Sequence, residues 1–460
     1  MGWVCVISIL AAVSILPAAA QPQGGGQQAR APGPASAARA VNPQAVVSEV
    51  RKILAERYVL PERRPALDAV LAQGLSSGRY RVTDPRQLAR LINEDLERVG
   101  KDKHLSFEHN PDQAAMFAAG RREGAPDNSV YERMVRTRNH GILELKVLPG
   151  NVRYMDYRGF DWIGPESAAA LDTAMNFLAG GDAIVIDIRR NGGGSPEAVQ
   201  YITSHFMEAG KPLMTFHMNG RASPDTTATL AELKAPRMLG KPLYVLTSGS
   251  SASAAEEFAG HVAGYKLGEL VGETTAGAGF RNELVPVAGE FVLSVSVGRA
   301  VLAATGKDWE AVGHSPTVAT PVASALDAAQ SHALRRLAGA ASGPAKARLE
   351  ALAEALSART ERRSAALPLA AYAGAYGERK VMLEGDRLVY QRGDRPRQPL
   401  VALGGHRFSF EQDPEAILEF APGGTGVAAL LVGAIGAPPQ GRYERSGEAG
   451  ASGSVQPPRR

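Results

Sequence analysis

Two segments of the chain repeat one design: an apolar run, a loop of small residues, and the start of a helical pattern. The first reads Asp187-Ile-Arg-Arg-Asn191-Gly192-Gly193-Gly194-Ser195-Pro196-Glu197. Three glycines in a row remove side chains, so backbone N–H groups can approach a ligand closely. Ser195 can cap a helix and Pro196 fits its first turn. Amides so placed favour an anion or a developing oxyanion. Neither G-K-[ST] nor G-x-G-x-x-G follows, so the phosphate-loop and dinucleotide patterns fail. A tight turn without a ligand is the plain alternative. The second segment runs from Leu246 through Ser248, Ser250, Ser251 and Ser253 to Glu256. A serine at a strand-to-helix turn is held exposed as a nucleophile, with the helix N-terminus favouring negative charge. A simple N-cap is the commoner fate of such a serine. The G-x-S-x-G pattern is absent, and chemistry alone does not choose among the four.

A serine nucleophile needs a base. His104, in Asp102-Lys-His-Leu, is one candidate, and His261 is another; seven further histidines are present. No histidine pair has HExxH spacing, and Cys5 is the lone cysteine, so neither a metal site nor a disulfide framework is expected. No cofactor is implied.

The elements that must position these residues follow from periodicity. Val46, Val47, Val50, Ile53 and Leu54 recur at helical spacing, as do Leu88, Leu91, Ile92 and Leu96. Residues 43–105 therefore read as a helical domain of about three helices. From residue 142 strands and helices alternate: strands at 142–148, 153–158, 183–189, 243–248, 269–273 and 290–298, helices at 167–178, 197–207 and 254–265. That order implies an α/β core with a mostly parallel sheet over 106–335. Two Ala/Leu/Arg-rich helices follow as a linker over 336–366. Short alternating runs over 367–446 predict a small antiparallel β domain, and 447–460 has the composition of a disordered tail.

Composition bounds the rest. Lys plus Arg number 51 and Asp plus Glu 47, a net charge of +4 over 460 residues, which is too diffuse to argue for nucleic acid. Residues 1–20 combine an apolar run with Ala18-Ala19-Ala20 and resemble a secretory signal, although no Lys or Arg precedes the run. Residues 21–42 read as a flexible Gly/Pro/Gln/Ala linker. The expectation is an exported, periplasmic or secreted protein without stable membrane insertion once the signal is cleaved, or a tethered one if it is not.

Five stretches occur in order: GNVRYMDYRGF, AIVIDIRRNGGGSPE, KPLYVLTSGSSASAAEEFA, LVGETTAGAG and GKDWEAVGHSP. Together they resemble the tail-specific, or C-terminal-processing, serine peptidase family. Within it they look most like the branch of the interphotoreceptor retinoid-binding protein repeats and the tricorn core. The resemblance covers about residues 43–335 and implies a peptidase acting on a peptide or protein substrate. Matched residue by residue, it puts the nucleophile at Ser253, the general base at His104 and the orienting glutamate at Glu310. The oxyanion donors would be the backbone N–H groups of Ala254, Gly193 and Gly192. The processing peptidases use a lysine where Ala278 stands here, so a Ser–Lys dyad is excluded at that place. The branch's serine before the histidine is Lys103, which leaves that supporting role open, and Thr317 replaces a usual Asp. Residues 105–141 are too few for the PDZ domain that processing peptidases often carry. The retinoid-binding members imply a rival reading, a carrier of hydrophobic ligands on the same fold.

Overall fold

The computed structural model describes residues 41–122, 129–424 and 426–446. The signal-like segment, nearly all of the linker that follows it and the tail beyond 446 lie outside the described residues. Three helices open the chain: α1 (Pro43–Arg57), α2 (Arg64–Ser76) and α3 (Pro85–Gly100). Asn42 and Asp84 cap α1 and α3, each accepting a first-turn N–H in front of a proline. After α3 the short strand β1 (Ser106–His109) leads to α4 (Pro111–Arg122) and α5 (Ser129–Thr137).

The centre is a six-stranded sheet. Its strands are β2 (Ile142–Leu148), β3 (Val152–Tyr157), β4 (Ala183–Asp187), β7 (Leu243–Thr247), β8 (Glu269–Gly272) and β11 (Val318–Ala319), after β5 (Pro212–Met218) and β6 (Asp225–Ala228) are set aside. The order is β11-β8-β7-β4-β3-β2, with only the β2–β3 pair antiparallel. β4 shows why the strand is an unbroken apolar run. Ile184 and Ile186 face one layer, α6 (Pro165–Ala179), α7 (Pro196–Ser204) and α8 (Ala254–Gly264). Ala183 and Val185 face the other, α9 (Ala325–Ala340) and α10 (Gly343–Thr360). A strand covered on both faces has no polar side to show, and each fully buried Ile contributes roughly 1.5–3 kcal/mol.

The strand expected at 290–298 does not belong to this mostly parallel sheet but to a second one. It is antiparallel and five-stranded, with order β1-β10-β5-β6 and β9 (Phe280–Val287) pairing β10 (Phe291–Leu302). The sequence reading passed over β5, β6 and β9, because Pro286 and the polar Arg281-Asn282-Glu283 blur the alternation in β9. This sheet is not separate from the N-terminal helices: Val47, Leu67, Ile92 and Leu96 share a core with Val285, Leu293 and Val295.

The C-terminal part is eight antiparallel strands between Gly374 and Glu444, paired in chain order. Leu403 and Ile417 from these strands, with Ile435 just after one of them, join the core under α9 and α10. No helix among the described residues is long and apolar enough to cross a membrane.

Candidate functional site

The glycine loop and the serine loop leave the C-terminal ends of neighbouring parallel strands, with Asp187 of β4 in register with Leu246 of β7. Loops at that edge of a parallel sheet are where ligands collect. The two are fastened together. Ala252 N–H donates to the Asn191 carbonyl at 3.1 Å, and the Asn191 amide donates to the Tyr157 carbonyl at 3.0 Å. A Cβ on Gly193, at φ 111°, would lie 2.8 Å from Ser253 Cβ, so only glycine permits this approach.

The structure separates the four serines. Ser248 and Ser251 are buried and donate to the Arg189 and Ile188 carbonyls. Ser250 is exposed, and its N–H donates to Ser248 Oγ. Ser253 stands directly before α8 at φ 55° and ψ −120°, a conformation that non-glycine residues rarely adopt. Ser195, in contrast, is a buried cap that accepts from Glu197 N–H and donates to its carboxylate.

Glu256, three residues on, anchors this turn, and no role was foreseen for it. Its Oε2 accepts from Ser253 N–H at 3.0 Å and Ala278 N–H at 2.7 Å. Oε1 accepts from Thr275 Oγ1 at 2.7 Å and Gly277 N–H at 2.6 Å. Burial pushes its carboxyl above the ordinary range, and the four donors pull back. The Ser-x-x-Glu spacing is a capping-box signal readable in sequence; its partners in the 275–278 loop are not.

That loop continues to the second cluster. Glu310 Oε2 accepts from Gly279 N–H at 2.6 Å and Phe280 N–H at 3.1 Å. A Cβ on Gly279 would meet Glu310 N at 2.6 Å. Asp102, His104 and Glu310 converge, each offering a donor atom within 4.8 Å of the others. His104 N–H donates to Asp102 Oδ1 at 2.8 Å, an Asx turn that fixes the stretch between α3 and β1. The His104 carbonyl accepts from Ser294 Oγ on β10. Asp102 Oδ2, His104 Nδ1 and Glu310 Oε1 are buried with no hydrogen-bond partner among the described residues.

Burial pulls His104 below its ordinary pKa; Asp102 opposes this and Arg281 adds to it. Burial therefore favours the neutral imidazole, the form that can accept a proton. Burial pushes Glu310 up to about 7, and the charge of Asp102 adds to the shift. Tyr58, fully buried, is likewise raised, first by burial and then by Asp102.

His261 lies eight residues beyond Ser253 on α8, roughly 12 Å along the axis at 1.5 Å per residue. It is beyond hydrogen-bond reach of the turn. Gly193 N–H donates to Asn191 Oδ1 at 2.9 Å, so this amide, expected to be an open donor, is already engaged. Gly192 is exposed. Ala278, where a lysine base was sought and found missing, is buried against Trp309, whose Nε1–H donates to its carbonyl at 3.0 Å.

Residues 151–320 match the model of peptidase family S41, and residues 38–140 match that of the N-terminal domain of Peptidase_S41 in eukaryotic IRBP. The chain belongs to peptidase family S41, with the IRBP-type N-terminal domain. It is 31% identical over 106 residues to the carboxy-terminal processing protease CtpB of Bacillus subtilis (strain 168), a match covering 23% of this chain. The chain spans about a fifth, 21%, of the length of that relative. Among solved structures, the photosystem II D1 C-terminal processing protease is similar at TM-score 0.38 and 18% identity, over 61% of this chain and 93% of that one. Mature CPAF is similar at TM-score 0.42 and 12% identity, over 62% of this chain and 94% of that one.

Proposed function

We propose that the protein is a serine peptidase that hydrolyses peptide bonds of a peptide or protein substrate through an acyl-enzyme on Ser253. The observation that carries this reading is the strained Ser253 turn, pressed against Gly193 and anchored by Glu256. The 275–280 loop that holds Glu256 also delivers Glu310 to His104.

His104, kept neutral by burial, takes the proton of Ser253 Oγ as the oxygen attacks the scissile carbonyl, and returns it to the leaving amine. Water then enters and loses a proton to His104 as its oxygen attacks the acyl carbonyl; the Ser253 ester bond breaks, His104 returns that proton to Ser253 Oγ, and the acid leaves. Glu310 is the orienting carboxylate, and Asp102 joins it through the turn at His104. Ala254 N–H and the exposed Gly192 amide stabilise the oxyanion; Gly193 brings the backbone close and joins only if its amide leaves Asn191. The apolar run at 1–20 supports an exported location.

Fluorophosphonate labelling with peptide mapping tests this. Adduct on Ser253 is expected, lost in Ser253→Ala and reduced on the order of 10²–10⁴-fold in His104→Ala and Glu310→Gln. Labelling that survives His104→Ala overturns the base. Absence of adduct on folded wild-type protein would turn attention to a carrier of hydrophobic ligands, for which native mass spectrometry would seek a bound apolar molecule.

A further inference from the structure

Three side chains of metal-ligating type converge from distant parts of the chain, although no spacing in the sequence announces them. Asp102 and His104 come from the turn after α3, and Glu310 from the loop after β10. One donor atom from each lies within 4.8 Å of the other two. Asp102 and His104 are each 5% exposed. Each of the three residues also has a buried polar atom without a close hydrogen bond, Asp102 Oδ2, His104 Nδ1 and Glu310 Oε1, although the buried Tyr58 hydroxyl interacts with Asp102 and the Lys103 amide with Glu310. Two carboxylates and an imidazole thus face one another with unmet hydrogen-bonding capacity, which is costly in a dry interior.

A divalent transition-metal ion would satisfy all three at once. An imidazole nitrogen with two carboxylate oxygens is a common zinc donor set, leaving a further position for water. Bond lengths of about 2.0–2.2 Å place tetrahedral donors roughly 3.3–3.5 Å apart. The observed set must therefore close by at most about 1.5 Å, within reach of side-chain rotation. The Arg281 cation near His104 is one positive charge against two carboxylates.

We propose that Asp102, His104 and Glu310 form an inhibitory site for a divalent transition-metal ion, zinc serving as the probe. The inhibitory consequence rests on the reading of His104 as the base: a nitrogen lone pair given to the metal draws the imidazole out of proton transfer and leaves Ser253 unactivated. Binding itself needs only the geometry.

Two readouts separate these parts. Zinc is titrated by calorimetry into wild-type protein and into Ser253→Ala, His104→Ala, Asp102→Asn and Glu310→Gln, each checked for folding by circular dichroism. Ser253 labelling is then followed with zinc and after chelation by EDTA. One equivalent is expected to bind wild type and Ser253→Ala alike, with affinity at least tenfold weaker in each ligand variant. Labelling should stop with zinc and recover with EDTA. Cobalt(II) supplies a check that needs no variant, since an absorption spectrum of low-symmetry nitrogen and oxygen coordination should appear in wild-type protein and bleach on adding zinc. Zinc binding unchanged in all three ligand variants, or a cobalt spectrum of the free hexa-aquo ion, overturns the site. Zinc binding to a wild-type protein that never labels retains the site and refutes the peptidase reading instead. Binding that leaves labelling intact overturns the inhibitory role.

Discussion

Glu256 should couple the stability of the core to the reactivity of Ser253. Its two oxygens accept four hydrogen bonds: Ser253 and Ala278 N–H on one, Thr275 Oγ1 and Gly277 N–H on the other. In Glu256→Gln, the better orientation keeps the amide oxygen on Ser253 and Ala278. The NH2 then faces Thr275 and Gly277. Thr275 can accept from it, although its hydroxyl also accepts from His314 N–H at 2.8 Å. Gly277 N–H is left facing a donor. One orphaned buried donor costs about 1–3 kcal/mol, and the remaining bonds lose their charge assistance. Relief of burying a charge offsets part of this, since burial disfavours the carboxylate here. The net loss is about 2–4 kcal/mol. Glu256→Ala orphans all four donors and should lose about 3–5 kcal/mol, water filling part of the gap.

The two variants should differ more in reactivity. The Gln variant retains the Ser253 anchor and should label within about tenfold of wild type. Without that anchor, the strain at φ 55°, on the order of 1–3 kcal/mol, relaxes and the turn leaves its position. At 1.4 kcal/mol per tenfold, labelling of Glu256→Ala should slow roughly 10–10²-fold. Urea unfolding followed by tryptophan fluorescence gives the first quantity, and the fluorophosphonate rate constant gives the second. A Glu256→Ala protein with the wild-type urea midpoint and labelling rate would refute the reasoning.

Gly193→Ala places a Cβ 2.8 Å from Ser253 Cβ and 2.9 Å from the Ala252 carbonyl, at φ 111°. It should cost about 1–3 kcal/mol through strain and lower Ser253 labelling on the order of 10²-fold, read in the same two assays; a wild-type labelling rate would contradict the packed geometry. His314 supplies a pH dependence: burial, with His261 adding, lowers it to about 4 from 6.5. The unfolded chain takes up this proton first, so the stability contribution is present above pH 6.5 and is lost as pH falls towards 4. The loss is at most about 3 kcal/mol at 1.36 kcal/mol per unit. His314→Gln should remove that part of the slope between urea midpoints measured at neutral pH and near pH 4.5, and an unchanged slope would contradict it.

What could be read in the sequence and what could not divide along sequence separation. Asp84-Pro85, Ser195-Pro196 and the apolar run of β4 announce their structures, because each is set by neighbours within one turn or by alternation along one strand. The choice of Ser253 among four serines was out of reach of local chemistry. It emerges only when Ser248 and Ser251 are seen bonded to the carbonyls of the glycine loop, about sixty residues away. Asp102 stands two residues before His104, and its Asx turn is local; its meeting with Glu310 depends on β1 pairing with β10, and nothing near residue 102 encodes that pairing.

Glycines provided an intermediate signal. Gly193, Gly277 and Gly279 each stand where a Cβ would strike another segment within 3.0 Å: the Ser253 turn for the first, the 309–312 loop for the other two. A loop rich in glycine without a phosphate pattern reads as a loose turn when taken alone. Here the glycines mark where backbones must touch, and the contacts they allow tie the Ser253 turn to the glycine loop and the 275–280 loop to Glu310. The same closeness explains the orphaned atoms of Asp102, His104 and Glu310. Backbone amides satisfy Asp102 Oδ1 and Glu310 Oε2, and both carboxylates share one space with the imidazole. A proton in transit or a metal ion is suited to fill that space, and competition between the two is what would make the site switchable.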